Sequence, residues 1–304
     1  MSKPLWNRRE VLAAAGAASL LPATTLADDM TMLTRAIPAD GEQLPVIGLG
    51  TYSVLDVEST PENIASRKAI VDLLVDSGGS LIDTSPMYKR SEAVIGDIFE
   101  AGVDRDDTFI ATKVWTDGEE AGREQMQRSA DLMNTETIDL MQVHNLRDTA
   151  IHMKTIREWQ EKGKIRYSGL THYRADALDA LETEMRRHKP DFIQINYSLG
   201  EREADRRLLP LAADMGIGVL VNRPYQGGVL FRSVRNRELP GWASEFAESW
   251  GQFFLKYIIS HPAVSCVIPA TSKVHHMEDN LRAGFGAMPD AATRRRMVEL
   301  IEAI

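Results

Sequence analysis

From residue 46 onward, short apolar runs alternate with longer amphipathic segments, and this alternation restricts the fold more than any other feature of the chain. The runs read VIGLGTY, SLIDTS, TFIATKV, IDLMQVHN, IRYSGLT, DFIQINY, IGVLVNRP and VSCVIPA. Helical patterns fall near 62–77, 90–100, 121–134, 149–162, 174–187, 202–215, 243–260 and 275–283, and a last one lies near 290–303. Strands that are apolar throughout belong to a parallel sheet whose faces are covered by helices. Eight βα units in about 250 residues match a (β/α)8 barrel. A doubly wound sheet, the competing α/β architecture, would carry a glycine-rich turn after its first strand. GLGTYS lacks the third glycine, so the barrel is preferred.

Upstream, apolar stretches around Ile37 and Leu44–Val46 flank PADGEQ. Its Asp40-Gly41 pair is a turn signal, and an N-terminal β-hairpin is predicted. The expected fold is therefore α/β: a (β/α)8 TIM barrel with that hairpin and an extra C-terminal helix.

Residues 1–27 have a different character. NRREVLAAAGAASLLPATTLA has a basic start, a mild apolar run and small residues at its end, the layout of a secretory signal. Arg8-Arg9 ahead of Val11 and Leu12 resembles a twin-arginine signal, which would engage an export machinery that carries folded proteins. The expectation is cleavage after Ala27, a single barrel domain over 28–304 and a periplasmic destination. The lone cysteine, Cys266, permits no disulfide within the chain, so the core alone must stabilise it. A formal net charge of -9 argues against a nucleic-acid partner. No apolar stretch of about 20 residues predicts a membrane span.

In a barrel, polar residues at the C-terminal strand ends face the catalytic mouth. The second strand ends in Asp83, with Tyr88 in the loop that follows; the third ends near Lys113 and the fourth at His144. Each interrupts an otherwise apolar run, and titratable groups gathered at one end of a sheet mark a functional site. A tyrosine with a pKa near 10 is a poor proton donor at neutral pH. A neighbouring ammonium lowers that pKa, and an aspartate holds the ammonium in place. A histidine can donate a hydrogen bond to a carbonyl oxygen where negative charge develops. Together these residues are equipment for reducing a carbonyl, with Tyr88 as the acid. The hydride must come from a cofactor, because side chains do not supply one.

LIDTSPMYKRSEAVIG, ATKVW, DLMQVHN, GKIRYSGLT, FIQINYSL and VIPATSKVHHMEDNL together resemble the aldo/keto reductases, over about residues 45–283. The resemblance implies a (β/α)8 barrel and a nicotinamide cofactor bound without a Rossmann fold. It implies that Tyr88 is the general acid, that Lys113 and Asp83 tune it, and that His144 orients the carbonyl. It places the nicotinamide amide on Thr171, His172 and Gln194, although the family more often has Ser-Asn at the first two positions.

The resemblance also puts Gly50 and Thr51 at the cofactor, and it puts Arg223 and Pro224 at the nicotinamide face, where the family usually has an aromatic residue. If the alignment slips, Tyr225 takes that role. Gly227 and Gly228 allow close approach to a pyrophosphate. Ser272 and Lys273 are candidates for the 2′-phosphate, which favours NADP(H) over NAD(H). Asp279 and Asn280 are placed on the adenine side. Basic residues common nearby in the family are here Ala270 and His276.

Tyr52, Trp115 and Asn145 each follow a strand end and are expected to line the substrate pocket. His275-His276 cannot chelate together on a helix, and no HExxH or CxxC occurs, so no metal is predicted. The expected function is NADP(H)-dependent reduction of a small carbonyl substrate. A non-catalytic nicotinamide-binding sensor or partner subunit is the competing class.

Overall fold

The computed structural model describes residues 31–304. The expected signal segment, 1–27, lies outside the described residues. The hairpin forms as predicted from β1 (Thr34–Ala36) and β2 (Gln43–Pro45), paired antiparallel.

Eight parallel strands follow: β3 (Leu49–Gly50), β4 (Leu81–Asp83), β5 (Phe109–Val114), β6 (Ile138–His144), β7 (Ile165–His172), β8 (Phe192–Asn196), β9 (Gly218–Asn222) and β10 (Cys266–Val267). Each pairs with its neighbour in chain order. The ring closes between its ends through parallel bridges, Ile47 to Val267 and Gly50 to Ala270. Backbone hydrogen bonds from Gly48 N–H to Val267 O (2.9 Å) and from Gly50 N–H to Pro269 O (3.1 Å) secure the closure.

The helices are α1 (Pro61–Asp76), α2 (Ser91–Glu100), α3 (Glu119–Leu132), α4 (Thr149–Glu161), α5 (Leu178–His188), α6 (Leu208–Met215), α7 (Val229–Ser233), α8 (Trp250–Ile259), α9 (Val274–Arg282) and α10 (Ala291–Glu302). Three of the predicted helical segments split. Single 3₁₀ turns at 175–177, 203–206 and 241–245 precede α5, α6 and α8. Periodicity over 202–215 cannot see the break at Arg207, whose φ of -144° leaves the helical region. The five-residue α7 was not predicted; it is too short to show an amphipathic period.

Strand alternation sorts the core into two layers. Ile82, Ile110, Met141, Val143, Leu170, Ile193, Val219 and Val221 face the helices. Leu81, Phe109, Ala111, Leu140, Tyr167, Phe192, Leu220 and Cys266 fill the barrel interior. Ile37 and Leu44 of the hairpin join that interior cluster and plug its floor. Phe109, Tyr167 and Phe192 meet with ring centroids 5.6–6.3 Å apart, each pair adding ~0.5–1.5 kcal/mol beyond burial. Continuing the inward alternation toward the C-terminal strand ends, the side chains become polar: Asp83, Lys113, Gln142, His144, Thr171 and Gln194, all buried.

Candidate active site

Lys113 and Asp83 are inward-facing residues of adjacent strands. Lys113 Nζ donates to both Asp83 carboxylate oxygens, at 2.9 and 2.7 Å, and to Thr84 O at 2.7 Å. Lys113 is fully buried. Burial pulls its ammonium down, but the Asp83 charge and Tyr88 outweigh that and hold the pKa above the ordinary lysine value. Asp83 also accepts from Gln194 Nε2 at 2.6 Å and from Gln142 Nε2 at 3.2 Å. A buried ion pair is tolerable only when its remaining lone pairs are satisfied in this way.

Tyr88 sits half-buried in the turn after β4, its ring centroid 5.1 Å from Lys113 Nζ. Tyr52 packs edge-on against it at 5.1 Å, and His144 lies 6.2 Å away. The tyrosine's pKa departs from the sequence-based expectation. Burial raises it, the Lys113 charge lowers it, and the net direction is up. Tyr88 therefore keeps its proton at neutral pH, and Lys113 limits a rise that burial and Asp83 would otherwise carry further.

His144 is buried, and burial together with the Lys113 charge pulls its pKa down to about 3. The ring is neutral at physiological pH, and its Nδ1 lies 3.1 Å from Ser85 Oγ. Trp115 stands beside it at 6.3 Å, capped by the Arg147 guanidinium at 5.5 Å. Tyr52 (62 % exposed) and Trp115 (37 % exposed) form an open aromatic rim over Tyr88 and His144. Asn145, half-buried with φ of 56°, holds a strained position beside them.

The residues expected at the cofactor divide into two groups. His172 stands at the rim and accepts from Arg174 N–H on Nδ1 at 3.2 Å. Burial lowers its pKa, so the neutral ring carries its proton on Nε2 and can donate to an amide oxygen. Arg223, Ser272 and Lys273 are exposed. Lys273 directly precedes α9, and Gly227 and Gly228 take φ of 61° and 86°, conformations that favour glycine. Pro224 is buried.

The other residues make contacts within the fold or to the buried ion pair. Gln194 Oε1 accepts from Thr171 Oγ1 (3.2 Å), while its amide nitrogen holds Asp83. Gly50 is needed for closure of the barrel, since a Cβ there would lie 2.8 Å from Ile268 O. Thr51 N–H donates to Asp83 O at 3.0 Å. Tyr225 packs its ring, tilted by 51°, against Phe231 (4.7 Å) and donates to Asn280 Oδ1 (2.5 Å). Both Asp279 oxygens accept from the start of α8, from Ser249 Oγ and Gln252 Nε2 at 2.8 Å each. Asp279 and Asn280 therefore tie α9 to α8 and to the 225 loop.

The profile of the aldo/keto reductase family matches residues 46–295. The chain belongs to the aldo/keto reductase family. It is 25% identical over 309 residues to YqkF, an uncharacterized oxidoreductase of Bacillus subtilis, covering 88% of this chain and 94% of that one. It is 26% identical over 250 residues to the glyoxal reductase of Bacillus subtilis, covering 79% and 83%. The holo form of the aldo-keto reductase AKR11C1 from Bacillus halodurans superposes with a TM-score of 0.71 at 21% identity, covering 89% of this chain and 96% of that one. An aldo-keto reductase from Klebsiella pneumoniae in complex with NADPH gives 0.71 at 22% identity, covering 89% and 95%.

This aldo/keto reductase barrel also recruits polar groups that sequence reading missed. Gln142 lies two residues before His144 on the same inward face, so strand alternation could have found it. Asn196 and Asn222 end β8 and β9 as Asp83 ends β4, a signal as legible as the one that drew attention to Asp83. Ser85 gives no sequence signal, because only the path of the loop brings it to His144.

Proposed function

We propose that this chain reduces small aldehydes or ketones to alcohols, with NADPH as hydride donor and Tyr88 as proton donor. The observation that carries the proposal is the buried Lys113–Asp83 pair set under Tyr88 and beside a neutral His144, at the C-terminal strand ends.

The residues present suit a nicotinamide nucleotide. Thr51 Oγ1, Asn145 Oδ1, Asn196 Oδ1 and Asn222 Oδ1 are buried without a partner among the described residues, at or just beyond strand ends. Such acceptors suit a carboxamide donor, which His172 Nε2–H would complement. Lys273 and the backbone around Gly227 and Gly228 suit phosphates, and the exposed Arg223 guanidinium suits the nicotinamide face. NADPH supplies the hydride when bound.

The chain's own residues do the rest. His144 offers a ring N–H to the carbonyl oxygen and so orients it. Tyr88 then protonates that oxygen as charge builds on it. Lys113 stabilises the phenolate left behind, and Asp83 holds Lys113 in place. The aromatic rim of Tyr52 and Trp115 leaves the mouth open to small carbonyls. The complete set of four favours catalysis over a sensor role.

Lys273, exposed beside Ser272, supports a preference for NADPH over NADH. Lys273→Ala is expected to raise the KM for NADPH roughly three- to tenfold with NADH unaffected. NADPH consumption with a panel of aldehydes, dicarbonyls including glyoxal, and ketones tests the reaction. Tight NADPH binding with no turnover on the whole panel would favour the sensor. The proposal extends to export through residues 1–27 and work in the periplasm, and a periplasmic fraction holding a chain cut after Ala27 would support it. Full-length protein found only in the cytoplasm would overturn it.

A further inference from the structure

We infer that Ser85 is a positioning residue that fixes which ring nitrogen of His144 carries the proton. Ser85 lies in the loop DTSPMY, two residues beyond Asp83, and is fully buried. Among the described residues its Oγ has two polar neighbours: Met87 N–H at 3.3 Å and His144 Nδ1 at 3.1 Å. A backbone N–H can only donate, so Met87 uses a lone pair of Ser85 Oγ. The hydroxyl proton of Ser85 then has one acceptor in reach, His144 Nδ1. With Nδ1 accepting, the neutral ring carries its proton on Nε2.

The opposite tautomer would put a ring N–H and the hydroxyl proton of Ser85 in competition, leaving a buried O–H without an acceptor, an arrangement that folded proteins avoid. The proton is therefore kept on the nitrogen that Ser85 does not hold. An alanine at 85 would fill much of the same space and exert no such control. The catalytic consequence rests on the proposed carbonyl reduction, because only there does an Nε2–H donor at the mouth matter. The tautomer itself does not depend on that reaction.

Nitrogen-15 NMR of the His144 ring in the full chain, assigned by loss of its signals in His144→Gln, reads the tautomer without turnover. The native protein is expected to show the Nε2–H form alone. Ser85→Ala is expected to show a mixture of both forms, with kcat lowered about tenfold and the KM for NADPH unchanged. Ser85→Thr, which keeps the hydroxyl, should restore both readouts. A native ring protonated on Nδ1 would overturn the inference whether or not any variant folds. So would Ser85→Ala retaining the pure Nε2–H form. A chain with the expected native tautomer that reduces no carbonyl would sink the proposed reaction and leave the role of Ser85 standing.

Discussion

Replacing Lys113 by methionine strands a buried carboxylate. The substitution keeps the length and apolar stem of the side chain but removes three hydrogen bonds, two to Asp83 and one to Thr84 O. Asp83 keeps the amide donors Gln194 and Gln142 but loses its cation. Removing one partner of a buried pair costs about 3–5 kcal/mol, and the two remaining amides place this loss near ~3 kcal/mol. Asp83→Asn should cost a similar amount, because Lys113 would keep one amide oxygen and Thr84 O but lose its counter-charge and one acceptor. The double variant removes both charges and should lose less than the two single losses combined, with a coupling of ~2–3 kcal/mol. Urea unfolding followed by far-ultraviolet dichroism and tryptophan fluorescence, with coincident transitions, measures all four proteins. Single variants within ~0.5 kcal/mol of the native protein, or losses that simply add, would refute the reasoning.

Other consequences follow from the same geometry. The pKa of His144 falls from 6.5 in the unfolded chain to about 3 in the fold, so the unfolded state binds the extra proton between those values. The contribution of His144 to stability is complete above pH 6.5 and is lost as pH falls toward 3, by up to ~5 kcal/mol. His144→Gln should remove that part of the pH dependence, which denaturant titrations at pH 7 and pH 4.5 would reveal. Gly50→Ala forces a methyl against Ile268 O at the barrel seam and should cost ~1–3 kcal/mol, read from the urea midpoint. Because Tyr88 sits above the ordinary tyrosine pKa, carbonyl reduction should keep its kcat from neutral pH to beyond pH 10, where NADPH assays can follow it.

The fold was legible because strand alternation and helix periodicity are local signals that the barrel does not override. The hairpin turn at Asp40-Gly41 and the apolar runs from β4 to β9 needed no tertiary knowledge. The breaks at Arg207 and before α8, and the short α7, depend on how loops pack over strand ends, which no local period reports.

The site divides along the same line. Asp83, Lys113 and His144 stand out because each is a titratable residue at the end of an apolar strand. The net direction of the Tyr88 pKa was not legible, since it depends on burial that only the folded loop creates. Tyr225, Asp279 and Asn280 looked available in sequence. In the fold the Tyr225 hydroxyl donates to Asn280 Oδ1, and both Asp279 oxygens accept from the start of α8. Gln194 carries a similar lesson: its position was clear, but its amide faces Asp83.

The most direct test of the central claim is NADPH oxidation by the native chain and by Tyr88→Phe, with NADPH binding measured separately by fluorescence. The account predicts turnover of small aldehydes by the native chain, lowered about 10²- to 10⁴-fold in the variant, with NADPH affinity unchanged. Equal turnover in both proteins would contradict Tyr88 as the proton donor.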